Sequence, residues 1–349
     1  MNRTEHVKIT LPLNLHENEK FPNVEFLLLD YSSSDGLEEW VRDNLNEYIV
    51  SGRLTYYHYS GATSFNGAHS RNMLFQLAKN DIICNVDADN IVYTEFTEYV
   101  LRQYQTNPDV IIIADFTNQK YQMHDIMGRF CCLKRDFLLV SGYDESIVGY
   151  GFEDQDLYRR IIRLGREKCV MDNINLVAVL QHDDKERVLN DWLVQAYYAL
   201  FIREKGVDYE LLILTSDKRY IRGTVVTTRY KGEHFTFGYD EGPAGEWTSN
   251  PDGSISLKND DNNLLCLQAI DGQEHYELSG PEESIYLMRV TNMEDVGKAI
   301  MMYRMAANQE IYQKNINNKN LIINQNGFGR GVVYQNFDRQ IPIDLGLIG

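Results

Sequence analysis

Three short apolar runs that each stop at an aspartate govern what this chain can fold into: Val24–Asp30 (VEFLLLD), Asp81–Asp87 (DIICNVD) and Val110–Asp115 (VIIIAD). Runs of this length read as strands, and the stretches between them, Leu37–Tyr48, His69–Lys79 and Glu95–Gln105, carry helical patterning. Further strands are expected at Leu54–Tyr59 and Gly128–Leu133, and a further helix at Asp154–Leu164 that ends on Gly165. This alternation predicts an α/β domain, a mixed sheet flanked by helices. VEFLLLD and VIIIAD are nearly uninterrupted apolar sequences, so both faces of each strand should be covered.

The texture changes near Lys185. The run ERVLNDWLVQAYYALFIREKG reads as helical and places a linking helix at 191–207. Residues 208–292 carry turn signals such as NPDGS and KNDDNN between short β runs, which predicts a smaller β-rich subdomain. Its aromatics, Tyr220, Tyr230, Phe235, Phe237, Tyr239 and Trp247, would form its core or grip a ligand. Residues 293–349 read as a helix followed by an Asn- and Gly-rich tail, and residues 1–190 as the α/β core.

At 349 residues the chain can bury a large core. Its 34 lysines and arginines against 51 acidic residues leave a charge of −17, which disfavours nucleic acid and anionic membranes as partners. No apolar run reaches the roughly 20 residues of a membrane span, and MNRTEHVKIT lacks the apolar stretch of a signal peptide, so a cytoplasmic location is expected. The five cysteines lack metal-site spacing and read as buried, reduced thiols.

The chemistry concentrates at strand ends. Asp87-Ala88-Asp89 follows an apolar strand, and two carboxylates at i and i+2 of an extended segment lie on one side, a hard-oxygen donor set for a divalent ion. An exposed acidic turn would look the same. Asp30 also ends a strand and opens YSSSDG; Arg71 follows a Gly-led loop, GAHSRN, where it could neutralise phosphate, orient Asp87 or simply pair within the fold. In Gly149-Tyr150-Gly151-Phe152-Glu153-Asp154 the glycines permit close backbone approach and Tyr150 offers a flat face to a sugar ring. The carboxylates there sit at a helix start, where they could also be ordinary capping. His182, after LVAVL, could complete a metal shell or be a polar boundary residue.

Together, LLLDYSSSDG, GAHSRN, VDADN, GYGFEDQDLYRR and LQHDD resemble, in order and spacing, a nucleotide-sugar-dependent glycosyltransferase of the GT-A fold. The likeness is to the family 2 group, with features of the beta-galactosyltransferase C-terminal motif, over roughly residues 1–190. The resemblance implies that Asp30 and Asp35 contact the nucleoside with Arg71 nearby. It implies that Asp87 and Asp89 handle a metal diphosphate, with Mn²⁺ or Mg²⁺ and His182 as a further ligand. Asp154 would be the general base, Glu153 would bind the acceptor, and Tyr150 and Gly151 would line the acceptor side. Tyr150 stands where the galactosyltransferases carry Trp, which leaves the acceptor open. One departure concerns the start: the family opens with a β-strand ending in a Tyr-Asn-Arg-like turn, and here Met1-Asn2-Arg3 stands at that turn. The first strand is therefore expected to be missing, with the tail segment Asn320–Asn324 a candidate to fill its place, and a version about ten residues longer is expected to be more stable.

The expected activity is transfer of a hexose or N-acetylhexosamine from a UDP-sugar to a glycan or lipid-linked saccharide acceptor, with inversion, in surface polysaccharide synthesis. Homo-oligomerisation stays open. The alternatives are a sugar nucleotidyltransferase, which would release pyrophosphate, and a catalytically inactive glycan-binding protein of the same fold.

Overall fold

A computed structural model describes residues 1–114, 128–171, 173–181, 184–231, 234–272, 274–318 and 321–346. Two compact units divide the chain. The first comprises residues 1–148, 153–182 and 318–349; the second comprises 149–152 and 183–317.

The first unit runs α1 (Thr4–Glu17), β1 (Phe26–Tyr31), α2 (Leu37–Asn44), α3 (Asn46–Val50), β2 (Leu54–Tyr59), α4 (Gly67–Leu77), β3 (Ile82–Cys84), β4 (Asn90–Ile91), α5 (Thr94–Thr106) and β5 (Val110–Ala114). It continues with β6 (Phe130–Leu133), α6 (Lys134–Leu139), α7 (Glu153–Ile162), β7 (Glu167–Met171) and β8 (Ala178–Val179). Parallel pairs β1·β2 and β5·β7 mark the α/β architecture, and Gly165 (φ +88°) stands just beyond α7 as expected. The strand VIIIA is buried at every position, as its unbroken apolar sequence requires.

VEFLLLD is also covered on both faces, Phe26 and Leu28 in the cluster with α1 and α2 and Leu27 and Leu29 in the cluster with Met73 of α4, but less deeply. Phe26 to Leu29 are only half-buried, because the strands form two separate sheets, β1–β2–β18–β19 and β3–β6–β5–β7, and β1 ends the first of them. Strands β18 (Val332–Gln335) and β19 (Pro342–Asp344) come from the tail but join the opposite edge, where β18 runs antiparallel to β2. Residues 321–324 are not a strand; Asn324 adopts a left-handed turn (φ +47°) and its amide binds the Ser141 and Tyr143 carbonyls. Asn320 lies outside the described residues. Residues 321–324 therefore do not supply the strand expected of them.

The second unit contains α8 (Asp184–Val188), α9 (Trp192–Gln195), the strands β9 (Tyr197–Lys205), β10 (Asp208–Thr215), β11 (Arg219–Lys231), β12 (His234–Glu241), β13 (Gly245–Ser249), β14 (Ile255–Asn259), β15 (Leu264–Asp271), β16 (His275–Ser279) and β17 (Ser284–Val290), and α10 (Met293–Asn317). Pairing of β17 with β9 and of β13 with β11 closes an eight-stranded antiparallel barrel, with β12 added beside β11. Eight strands leave an interior that side chains can fill. Phe201, Leu212, Leu214, Tyr220, Trp247, Leu257, Leu267 and Leu278 fill it. The linking helix expected at 191–207 shrinks to α9, and β9 takes the rest. Its Ala199 and Phe201 face the barrel core, while Leu200 faces outward under Val296 and Ile300 of α10. A strand apolar on both faces loses its alternation and imitates a helix in sequence. Tyr220 and Trp247 are core residues and Tyr239 packs on Tyr303 of α10; the side chains of Tyr230, Phe235 and Phe237 lie outside the described residues.

All five cysteines are free thiols; Cys131 and Cys132 are fully buried and the others half-buried. Among the described residues no helix is long and apolar enough to cross a membrane.

Candidate active site

The first unit gathers four of the expected residues into one charged cluster. Arg71 lies one turn inside α4, whose start is capped by Asn66 Oδ1 accepting from the His69 N–H at 3.0 Å. The whole GAHSRN segment is thus helical rather than a loop. The Arg71 guanidinium donates to Asp87 Oδ1 at 2.9 Å and Glu153 Oε1 at 3.2 Å, and lies 3.8 Å from Asp154 Oδ1. Asp87 follows β3, and Glu153 and Asp154 open α7. The next carboxylate of that turn, Asp156, is occupied by Arg160 within the helix at 2.8 Å.

The cluster pushes two carboxyls in opposite directions. Burial drives the Asp154 pKa up to about 8; Arg71 opposes this, while the negative charges of Glu153 and Asp87 reinforce it. Burial acts on Asp87 too, but there Arg71 and the Asn85 amide outweigh it and hold the carboxyl below its ordinary value. One acid is therefore kept ionised and its neighbour is poised near neutrality, the division of labour from which acid–base sites are built.

Between them lies Gly128. A Cβ placed on it would sit 3.0 Å from Asp154 Oδ2 and 3.1 Å from Asp87 Oδ2, so only a bare Cα lets the backbone pack this closely against both carboxylates. Asn85 anchors this contact, its amide donating to the Gly128 carbonyl at 2.9 Å and to Asp87 Oδ1 at 3.2 Å.

The Asp87-Ala88-Asp89 segment is a tight turn, not an extended strand end. The Asn90 N–H closes it on the Asp87 carbonyl at 2.9 Å, and the Asn90 amide binds Asp89 Oδ1 at 2.8 Å. Beneath it the buried Arg129 donates to Asn90 Oδ1 at 2.7 Å; burial pushes its pKa down to about 10 against the pull of Asp87. Both bonds to Asp87 fall on Oδ1, which leaves Oδ2 turned toward Gly128. Carboxylate oxygens of this kind fit Mn²⁺ or Mg²⁺. His182 lies outside the described residues.

Asp30 and Asp35 stand apart from the cluster. Asp30 is buried and accepts from the Ser33 N–H and the Tyr56 hydroxyl, each at 2.8 Å. Burial opposes its ionisation, but bonds from His58, Ser33 and Tyr56 prevail and hold its pKa low. Asp30, Glu38 and His58 converge closely enough to hold an ion, yet Glu38 is already paired with Arg42 and Arg339, so the group is charge-balanced without one. Asp35 uses both oxygens on Thr4, at 2.9 and 2.6 Å, fastening the start of α1.

Tyr150 and Gly151 belong to the second unit. Gly149 (φ +80°) and Gly151 (φ +97°) take left-handed backbone, as does Phe152 (φ +72°). A side chain on Gly149 would strike Asp191 and Arg304, and one on Gly151 would press on Met305. Asn308 of α10 donates to the Tyr150 carbonyl at 3.1 Å, Arg187 lies 5.9 Å from the Tyr150 ring, and Phe152 stacks on Tyr312.

Sequence reasoning missed Asn85, Gly128, Arg129 and Tyr143. The only signal for them was Gly-Arg directly ahead of the apolar FCCL, a charge that a buried strand carries only when something pairs it.

Residues 11–130 match the family described as glycosyl transferase family 2, and residues 109–183 match one described as the N-terminal domain of galactosyltransferase. No curated protein matches the chain. Among solved structures, the catalytic domain of Drosophila beta1,4-galactosyltransferase 7 with xylobiose is 18% identical over 48% of this chain and 75% of its own, with a TM-score of 0.34. A mutant of that enzyme with manganese, UDP-Gal and xylobiose is 17% identical over the same shares, with a TM-score of 0.32. Residues 11–183 thus carry a match to glycosyl transferase family 2 that runs on into a galactosyltransferase-like one.

Proposed function

We propose that the chain transfers a hexose or N-acetylhexosamine from a UDP-sugar to a saccharide hydroxyl, with inversion, and that Asp154 is the general base. The observation that carries this reading is the convergence of Asp87, Glu153 and Asp154 on Arg71. An acceptor hydroxyl reaching Asp154 would lose its proton to it as its oxygen bonds to the anomeric carbon and the bond to the diphosphate oxygen breaks, releasing UDP. A base with a pKa near the working pH combines availability with proton affinity, which fits the Asp154 value of about 8.

Asp87 and Asp89, with His182, would hold Mn²⁺ or Mg²⁺, which when bound supplies positive charge for the departing diphosphate. Arg71 keeps Asp87 ionised and ready for such an ion, and Glu153 would accept a hydrogen bond from the acceptor. Asp30 would contact the nucleoside. Asp35 would take part only on releasing Thr4, and Tyr150 and Gly151 would line the acceptor side. Surface polysaccharide assembly is the proposed pathway.

A panel of nucleotide sugars, each with and without Mn²⁺, tests the reading by thermal shift and product analysis. A true donor at 100 times its Kd should add about 2.7 kcal/mol. One UDP-sugar should stabilise the protein only with Mn²⁺ and release UDP on addition of a saccharide acceptor. Pyrophosphate formed from UTP and a sugar phosphate would instead establish nucleotidyl transfer, and no response to any donor would sink the reading.

A further inference from the structure

We propose that Tyr143 is a positioning residue that fixes the orientation of the Asp154 carboxylate; this rests on Asp154 being the general base. Tyr143 is fully buried, and its ring packs edge-on against Phe130 and Phe137 at 6.1 and 6.2 Å. A phenylalanine would fill that space equally well. What the tyrosine adds is a hydroxyl that donates to Asp154 Oδ1 at 2.9 Å.

That bond decides which oxygen does the chemistry. With Oδ1 held by Tyr143 and flanked by Arg71, the carboxyl cannot spin, and Oδ2 is left on the side of Gly128. Burial and the neighbouring Asp154 keep the Tyr143 hydroxyl protonated well beyond the ordinary phenol range, so it stays a donor at every working pH. The residue is itself held tightly. Asn72 accepts from its N–H at 2.7 Å and donates to its carbonyl at 3.0 Å, and Asn324 donates to the same carbonyl at 2.6 Å. Asn72 is the neighbour of Arg71 on α4, and the Arg71 guanidinium lies 5.5 Å from the Tyr143 ring, so one helical turn sets the position of both groups that touch Asp154. Misplacing a reacting group by about 1 Å can cost 100-fold in rate, which is the scale on which such a bond would matter.

The test is Tyr143→Phe, assayed with the donor selected by the panel, alongside Asp154→Asn. We expect kcat to fall roughly 10- to 100-fold in Tyr143→Phe. The KM for the donor and the donor-induced thermal shift should stay at wild-type values. A kcat within twofold of wild type, a parallel loss of donor binding, or failure of the variant to fold would each overturn the proposal, the last because the hydroxyl would then serve stability instead. If Asp154→Asn keeps full transfer, the general-base reading falls; if it is inactive while Tyr143→Phe is normal, only the positioning role falls.

Discussion

Replacing Asp154 by Asn should make the protein more stable, and increasingly so as pH rises. The wild-type carboxyl titrates at about 8 in the folded chain against 3.8 in the unfolded one. Its folded pKa is raised, so between those values the folded state holds the proton that the unfolded state has lost, and stability falls as pH climbs through the window. At 1.36 kcal/mol per unit the ceiling is about 6 kcal/mol above pH 8, of which about 1.6 is already present at pH 5. The cluster shares its charge among Arg71, Asp87 and Glu153, so about half of the remaining 4 kcal/mol is a reasonable expectation. Asparagine keeps the shape and an oxygen for the Tyr143 hydroxyl to donate to, but cannot ionise. At about 2–4 °C per kcal/mol for domains near this unit's size, the Tm advantage of Asp154→Asn should widen by about 4–8 °C between pH 5 and pH 9. Thermal unfolding of both proteins across that range, followed by circular dichroism, is the measurement. A Tm difference that stays flat with pH, or narrows, would show that Asp154 is not held protonated by its surroundings.

Three other substitutions probe the cluster and the barrel. Arg71→Met leaves three carboxyls without their shared cation and should cost about 3 kcal/mol by urea unfolding at pH 8, with partial recovery at pH 5; equal losses at both pH values would contradict the electrostatic account. Gly128→Ala puts a methyl 3.0–3.1 Å from two carboxylate oxygens, so overpacking of about 1–3 kcal/mol and loss of transfer are expected together, and an active Gly128→Ala enzyme would show that the position of these carboxylates does not govern the reaction. Trp247→Ala empties the middle of the barrel and removes the indole N–H that reaches the Thr215 carbonyl at 2.9 Å, leaving that oxygen with the Lys218 N–H, so urea unfolding should register about 3–5 kcal/mol; less than 1 would mean that the barrel core can collapse around the gap.

The α/β half of the fold was legible because its strands and helices are separated by turn residues and each keeps one period: α5 and α7 lie within a residue or two of their expected spans. Where a single period failed, so did the reading. Alternation was lost in β9, which buries both faces. That error could not be repaired from the segment itself, since it depends on what lies against each face. Closure of the barrel is of the same kind: the pairing of Val290 with Leu200 joins residues ninety positions apart that no local pattern links.

The site divides along the same line. Asp87, Glu153 and Asp154 could be found because each stands at an element boundary, and Arg71 because it is the one fully charged residue of α4, places where a charged side chain needs a reason to be. The residues that give the cluster its chemistry could not, since Tyr143 and Gly128 look like core and turn in any sequence. A tyrosine hydroxyl inside an aromatic core is silent until its acceptor is known, and a glycine reads as a turn until something is seen pressing on its Cα. Yet the charge arithmetic of the site turns on such neighbours. Three carboxyls around one guanidinium cannot all be ionised cheaply in a buried place, and the one that keeps its proton is the one that feels both of the others, against a tyrosine hydroxyl and a bare backbone. The ability of Asp154 to take up a proton near neutral pH is thus a property of its packing, and packing is what a sequence discloses last.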